Sequence, residues 1–299
     1  MIRHRIRQWL QRLLLCWAVM MCCGFMSACS SLQIAYNQTD FLLKWWLDDY
    51  LDLSTDQDQL IDQAVNVQIK KHRQEELPKA LQKIRALRSK LDRPLTFDEG
   101  TLIVKDIKAF SRDSINYLLE DASSLVLTLE PKQFTYMENA FKKANKKFQN
   151  DYLSGSTEER LDKRVEKMIE RTESFSGDLN KSQKSQVKDI AKEYLLDMET
   201  VYQARIYKQQ LILKVLKKIN QDRPAAAEVK TTLNQLFNEI ELGSTQEQKD
   251  FEKKRDLHAG IVIAKISEIL NDKQRKKAQS KIQSWENDVN LLITQKPKG

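Results

Sequence analysis

The chain reads as all-α: an elongated multi-helix bundle of about eight to ten helices, placed behind a segment that is cut away. Three observations predict this. Apolar residues recur at steps of three and four along most of the chain, as in Phe134, Met137, Phe141, Ala144 and Phe148, or Ala278, Ile282, Trp285, Val289 and Leu292. Each such set falls on one face of a helix. Only seven Gly and five Pro punctuate 299 residues, too few for the turns of a strand-rich fold. A text of Leu, three residues and Gln recurs at Leu53/Gln57, Leu129/Gln133, Leu179/Gln183, Leu242/Gln246 and Leu270/Gln274, with Leu95/Glu99 as a variant. It spells a capping box, in which a short polar residue accepts from a free backbone N–H and Gln or Glu at the third helical position reaches back. The intervals are irregular, so no solenoid is implied.

The first element is an address. Arg3, Arg5, Arg7 and Arg12 precede an uncharged apolar run over 13–25, and the small residues Ser27 and Ala28 lead into Cys29. The run is short for a membrane span and suits a secretory signal. Met26 to Cys29 resembles the bacterial lipobox. That resemblance implies diacylglycerol on the Cys29 sulfur, cleavage before it and acylation of the new terminus. Ser30 stands where an Asp would resemble the inner-membrane retention signal, so an outer membrane is expected. The expected organisation is a signal peptide over 1–28, a lipidated tether over 29–37, a helical body over 38–294 with a division into two lobes near 155–180, and a frayed tail over 295–299. Of the four Cys only Cys29 survives processing, so the body folds without a disulfide.

The body follows in order. Helices are expected over 38–52, 54–76, 78–91, 97–127, 131–152, 157–175, 181–221, 225–240, 245–269 and 272–294. Pro78 breaks the second from the third near Leu77. Ser54, Thr96, Asn180 and Asn271 are good caps, Pro131 sits at a first helical position, and Gly243 is a weaker cap for which Ser244 with Glu247 is the alternative. The segment 181–221 reads as one helix of about 60 Å. Pro94, Gly155, Gly177, Pro224 and Gly243 fall between periodic segments and end them.

Two stretches stand out. Along 38–52, Leu43, Trp46, Leu47 and Tyr50 share a helical face, while Asp40, Lys44, Asp48 and Asp52 line another, with Phe41 and Trp45 at the flanks. The apolar face has to be buried, either on the body or in the bilayer interface. The acids Asp48, Asp49 and Asp52 favour the body. In the second stretch, His72 and Arg73 precede Glu75, Glu76, Leu77 and Pro78. A metal reading fails on ligand count, since only His258 remains elsewhere and Lys71 and Arg73 flank the His. Pairing of His72 and Arg73 with Asp48, Asp49 or Asp52 is the expectation. Trp46, Asp48, Asp49, Tyr50, His72, Arg73 and Glu76 form the candidate structural or partner-binding cluster.

In order, Tyr36, Asn37, Asp40, Trp46, Asp48, Asp49, Tyr50, Leu53, Gln57, His72, Arg73, Glu75, Glu76, Leu77 and Pro78 resemble a family of gammaproteobacterial lipoproteins known only as a domain of unknown function. The resemblance covers about residues 29–80, and it implies an address and a helical fold but no activity. The Leu-x-x-x-Gln text also resembles the Leu-Thr-x-x-Gln motif of small periplasmic stress chaperones.

Composition and motifs bound the function. With 31% charged and 41% apolar residues, polytopic membrane, disordered and collagen-like classes are excluded. No phosphate loop, nucleophile elbow or dinucleotide fingerprint occurs. Lysine pairs such as Lys142 and Lys143 read as solvated helix faces, and no nucleic-acid partner is expected outside the cytoplasm. The expectation is a non-enzymatic, periplasm-facing outer-membrane lipoprotein acting as an adaptor or assembly factor, with no catalytic residue, metal or cofactor. Its partners would be the membrane, through Cys29, and an envelope protein. The alternatives are a tethered chaperone or holdase and a carboxylate-dependent envelope enzyme.

Overall fold

The computed structural model describes residues 31–295; Cys29 and the lipobox lie outside them. The described residues form twelve α-helices and one π-helical turn, with no strand: α1 Ser31–Asn37, α2 Thr39–Leu51, α3 Thr55–Glu75, α4 Leu77–Lys90, α5 Phe97–Leu127, α6 Pro131–Phe148, the π turn Gln149–Leu153, α7 Thr157–Ser176, α8 Lys181–Tyr194, α9 Met198–Asp222, α10 Ala226–Leu242, α11 Gln246–Ile269 and α12 Asp272–Thr294. The all-helical bundle is as the sequence predicts. The chain divides between Thr39 and Asp40. The short helix α1 lies on the first side, within the segment read as a tether, and the bundle on the second. The stretch 155–180 is internal to the bundle unit.

Helix starts follow the capping text closely. Ser54, Thr96, Ser156, Asn180 and Asn271 each accept from the backbone N–H three residues on, and Gln57, Glu99, Glu159, Gln183 and Gln274 reach back to the cap. Pro131 opens α6, and Pro78 lies in the first turn of α4 after a break at Glu76. Two expectations are corrected. Leu242/Gln246 is not a box: the chain turns at Gly243 (φ 81°), and Thr245 with Gln248 forms the cap instead, two residues later. The single helix over 181–221 is two. It stops at Leu195, whose backbone is extended, and restarts at Asp197, whose carboxylate accepts from the Thr200 N–H at 2.8 Å and the Thr200 hydroxyl at 3.0 Å. The apolar rhythm from Val187 to Val201 runs through this break because Tyr194 and Met198 keep their spacing of four across it.

Four of the Leu-x-x-x-Gln motifs pair off into two reciprocal clamps. Gln57 Nε2 donates to Gln133 Oε1 (3.1 Å), and Gln133 Nε2 donates back to Gln57 Oε1 (2.8 Å). Each Oε1 also accepts from its own cap, the N–H of Ser54 or Glu130. Each Nε2 also donates to a backbone carbonyl just before the partner's motif: Gln57 to Thr128, Gln133 to Leu51 and Asp52. Gln183 and Gln274 repeat the arrangement, at 2.7 and 3.1 Å, with Ile269 and Asp178 as the carbonyls. All four amides are buried. Each clamp satisfies two helix starts and two preceding chain ends that would otherwise be orphaned in the interior.

The first clamp roofs an apolar cluster of Leu51, Leu119, Leu129, Phe134, Met137 and Leu233, among others. The long helix α5, about 46 Å at 1.5 Å per residue, packs against α3, α10 and most extensively α11. Gly100 and Gly260 let α5 and α11 touch backbone to backbone. A Cβ on Gly100 would stand 2.2 Å from the Gly260 carbonyl oxygen, and one on Gly260 2.9 Å from Thr101 Cα. The last helix, α12, lies along α4, where Glu286 accepts from Arg85 (2.9 Å) and pairs with Arg88 (3.0 Å).

Candidate functional site

The structure divides the seven predicted site residues into two sets. Trp46, Asp48, Asp49 and Tyr50 lie on α2. His72, Arg73 and Glu76 lie at the far end of α3, about 27 Å along that helix from Ser54.

α2 is fixed at its C-terminal end by the first clamp, which takes the Leu51 and Asp52 carbonyls, and by Asp48, whose carboxylate accepts from the Leu53 N–H at 2.9 Å. Asp52 sits in the left-handed region (φ 49°), which Asp tolerates better than most side chains. Leu51 enters the apolar cluster, and Leu47 and Tyr50 pack against it. The Tyr50 ring stands 5.6 Å from Phe141 on α6 and 5.3 Å from Trp46. Docking on the body therefore holds for this arc. The polar row is placed differently from its expectation: Lys44 turns towards α3 and pairs with Asp62 at 2.8 Å, which holds its ammonium above the ordinary lysine range. The residues expected at the flanks become the outermost ones. Trp46 leaves the predicted inner face and joins them. Phe41, Leu42, Trp45 and Trp46 are 59%, 42%, 60% and 54% exposed.

The second set is built between α3, α4 and α5. The imidazole of His72 stands edge-on to Phe110 and Tyr117, with Nε2 3.0 Å from the Ser114 hydroxyl. The Ser114 hydroxyl also bonds the Phe110 carbonyl (2.7 Å), an arrangement that suits the tautomer carrying the hydrogen on His72 Nε2. Burial pushes the His72 pKa down, against the opposing pull of Glu76. Tyr117 donates towards Glu75 (2.5 Å) and Glu76 (3.0 Å), and its phenol is held above its ordinary range by the Glu75 bond first and by burial next. Lys79, bonded to the buried Glu76 at 2.6 Å, lowers that carboxyl. The buried Arg73 reaches the Gln295 carbonyl at 3.3 Å, tying α3 to the end of the described chain. The expected partners on α2 are thus replaced by α5 for His72, and Asp48 serves as a backbone acceptor. The physical reason is the run of α3 away from α2.

Ser114, Tyr117 and Lys79 were not singled out in the sequence. Ser114 and Tyr117 are three residues apart on α5, the spacing that shares a helix face, but nothing in the text ties that face to His72. His258, the other histidine among the described residues, bonds the Tyr194 carbonyl at 2.7 Å. No group of three or more His, Cys, Asp or Glu positioned to hold a metal ion occurs among the described residues. No described helix is long and apolar enough to cross a membrane.

No curated protein and no solved structure matches the chain significantly. A family model matches residues 49–247, from the last turn of α2 to the start of α11. That span holds the whole first clamp and the His72 set, while Phe41 to Trp46 lie before it. The chain belongs to this family, DUF6279, a family of unknown function.

Proposed function

We propose that the protein is a non-enzymatic lipoprotein of the bacterial envelope. It is anchored through Cys29 to the outer membrane on the periplasmic side, and it presents its helical bundle to an envelope protein as an adaptor or assembly factor. One observation carries the reading of the body: among the described residues, the buried or half-buried His72, Glu252 and Glu286 each bond a neighbouring helix. His72 Nε2 stands 3.0 Å from the Ser114 hydroxyl, which also bonds the Phe110 carbonyl, so the contact ties α3 to α5. The buried Glu286 is held by two arginines, and the buried Glu252 by Lys208 and Arg255. Such a molecule is built to hold a shape. The anchor rests on the text from Arg3 to Cys29.

The test is photo-crosslinking in living cells, with the crosslinker at the exposed Ile107 on α5 and Leu257 on α11. One discrete adduct supports the adaptor and names its partner. A smear of many clients supports a tethered holdase and overturns the adaptor. In parallel, Cys29→Ser is expected to leave the chain uncleaved or to release it from the membrane fraction. Unchanged membrane retention with correct cleavage would sink the lipid anchor.

A further inference from the structure

We propose that the outward arc of α2, formed by Phe41, Leu42, Trp45 and Trp46, is a membrane-contact surface that seats in the headgroup region of a zwitterionic lipid layer. The proposal rests on the anchor reading above and adds to it a second, peptide-borne contact with the same bilayer.

The arc is defined by the helix itself. At 100° per residue, Phe41, Trp45, Leu42 and Trp46 fall within one sector of about 140°. Leu47, Tyr50 and Leu51 occupy the opposite sector and pack on the body. A surface helix normally turns polar residues outward; α2 turns two tryptophans, a phenylalanine and a leucine, all more than two-fifths exposed. Its one lysine has been drawn inward to Asp62.

Three features choose lipid as the occupant. The first is side-chain chemistry: Trp is the residue that partitions best to the boundary between headgroups and acyl chains, because its ring is apolar and its N–H needs a partner. The second is reach. Phe41 follows Cys29 by twelve residues, which span at most about 42 Å fully extended. An anchored Cys29 confines the arc near the bilayer, and a weak interfacial affinity becomes populated through high effective concentration. The third is the polarity of the helix along its axis. Phe41, Leu42, Trp45 and Trp46 lie in the first two turns, nearest Cys29 in sequence, where Asp40 falls in the body-facing sector; the exposed acids Asp48 and Asp49 come in the last turn, Asp49 on the outward sector. α2 therefore dips its N-terminal half into the headgroups and keeps its acidic end in water. The acids, and a sector with no lysine or arginine, select a net-neutral surface over an anionic one.

The test uses the full chain purified from membranes, labelled with 5-fluorotryptophan and reconstituted in phosphatidylcholine vesicles containing a headgroup-nitroxide lipid. Fluorine resonances are assigned by single Trp→Phe substitutions, and mass spectrometry of the same sample reads the lipid on Cys29. Trp285, packed edge-on against Phe175 on α7, is the internal reference. The expected result is several-fold broadening of Trp45 and Trp46 with Trp285 unaffected, weakened when phosphatidylglycerol replaces half of the phosphatidylcholine. Narrow Trp45 and Trp46 lines on a chain that carries its lipid overturn the contact surface and leave the anchor standing. Broadening on a chain without lipid on Cys29 supports the surface and overturns the anchor. Narrow lines on an unlipidated chain overturn both. Broadening that strengthens with phosphatidylglycerol, or Trp45 and Trp46 shifts that follow protein concentration in detergent, overturns the proposal in favour of an anionic-lipid site or a second copy of the chain.

Discussion

Gln133 is 2% exposed, and its amide engages a helix cap, a second glutamine and the chain end of α2. Truncation strands the Leu51 carbonyl and half of Gln57 in the interior, where an unsatisfied polar group costs about 1–3 kcal/mol. Gln133→Ala is expected to lower stability in chemical denaturation by that order, and Gln57→Ala likewise. The double variant should lose clearly less than the sum, because the two amides share their bonds; strict additivity would show that the clamp is not one unit. His72 supplies a pH prediction. Its folded pKa lies below the ordinary 6.5 because burial disfavours the imidazolium. Near and below that value the unfolded chain binds the proton more readily, so the contribution is present above pH 6.5 and lost as pH falls through it. His72→Gln should flatten the melting temperature between about pH 7 and 5 while leaving the steeper acid limb, which the lowered carboxyls Glu76 and Glu173 produce below about 4.5. The glutamines were legible as caps, since a cap is local text. Their pairing was not: it joins residues 76 and 91 positions apart, and no spacing rule announces that.

At the level of elements, the sequence was most legible where start signals and apolar rhythm agreed, as for α6 and α12. It misread 181–221 because a rhythm of four survives a short break, and the cap at Asp197 was the overlooked signal. It misread Trp46 because a periodic face says which residues align, and only packing decides how far round the helix the cover extends. The Gly100–Gly260 crossing was invisible, since both glycines sit inside periodic text and their value lies in what touches them. Gly100→Ala should be destabilising by about 1–3 kcal/mol, as overpacking between two rigid backbones is. Gly155→Ala, where the nearest atoms belong to the flexible Glu159 side chain, tests the contrast. Its penalty should come from the positive φ of 88° and not from a helix contact. A melting temperature unmoved by Gly100→Ala would refute the close approach.

At the level of the whole molecule, the bundle class and the helical order were readable from composition and periodicity. The long-range closure was not. α4 finds its cover in α12, with Arg85 and Glu286 separated by 201 positions. Deleting residues 272–294 should therefore do more than remove a terminal helix. It removes the helix that α4 packs against most extensively and unmakes the second clamp, and the expected outcome is loss of cooperative unfolding for the remaining body. A truncated chain that still melts in one sharp transition would contradict that. The same connection bears on the order in which a chain synthesised from its N-terminus acquires its shape. The first clamp needs nothing beyond Gln133, so an early subassembly can close while the rest is still being made. The contact of α4 with α12 waits for residues 272–294, and such distant closures are entropically slow. Until then the flank of α4 that α12 covers stays open, and the closed first clamp coexists with an unfinished second half.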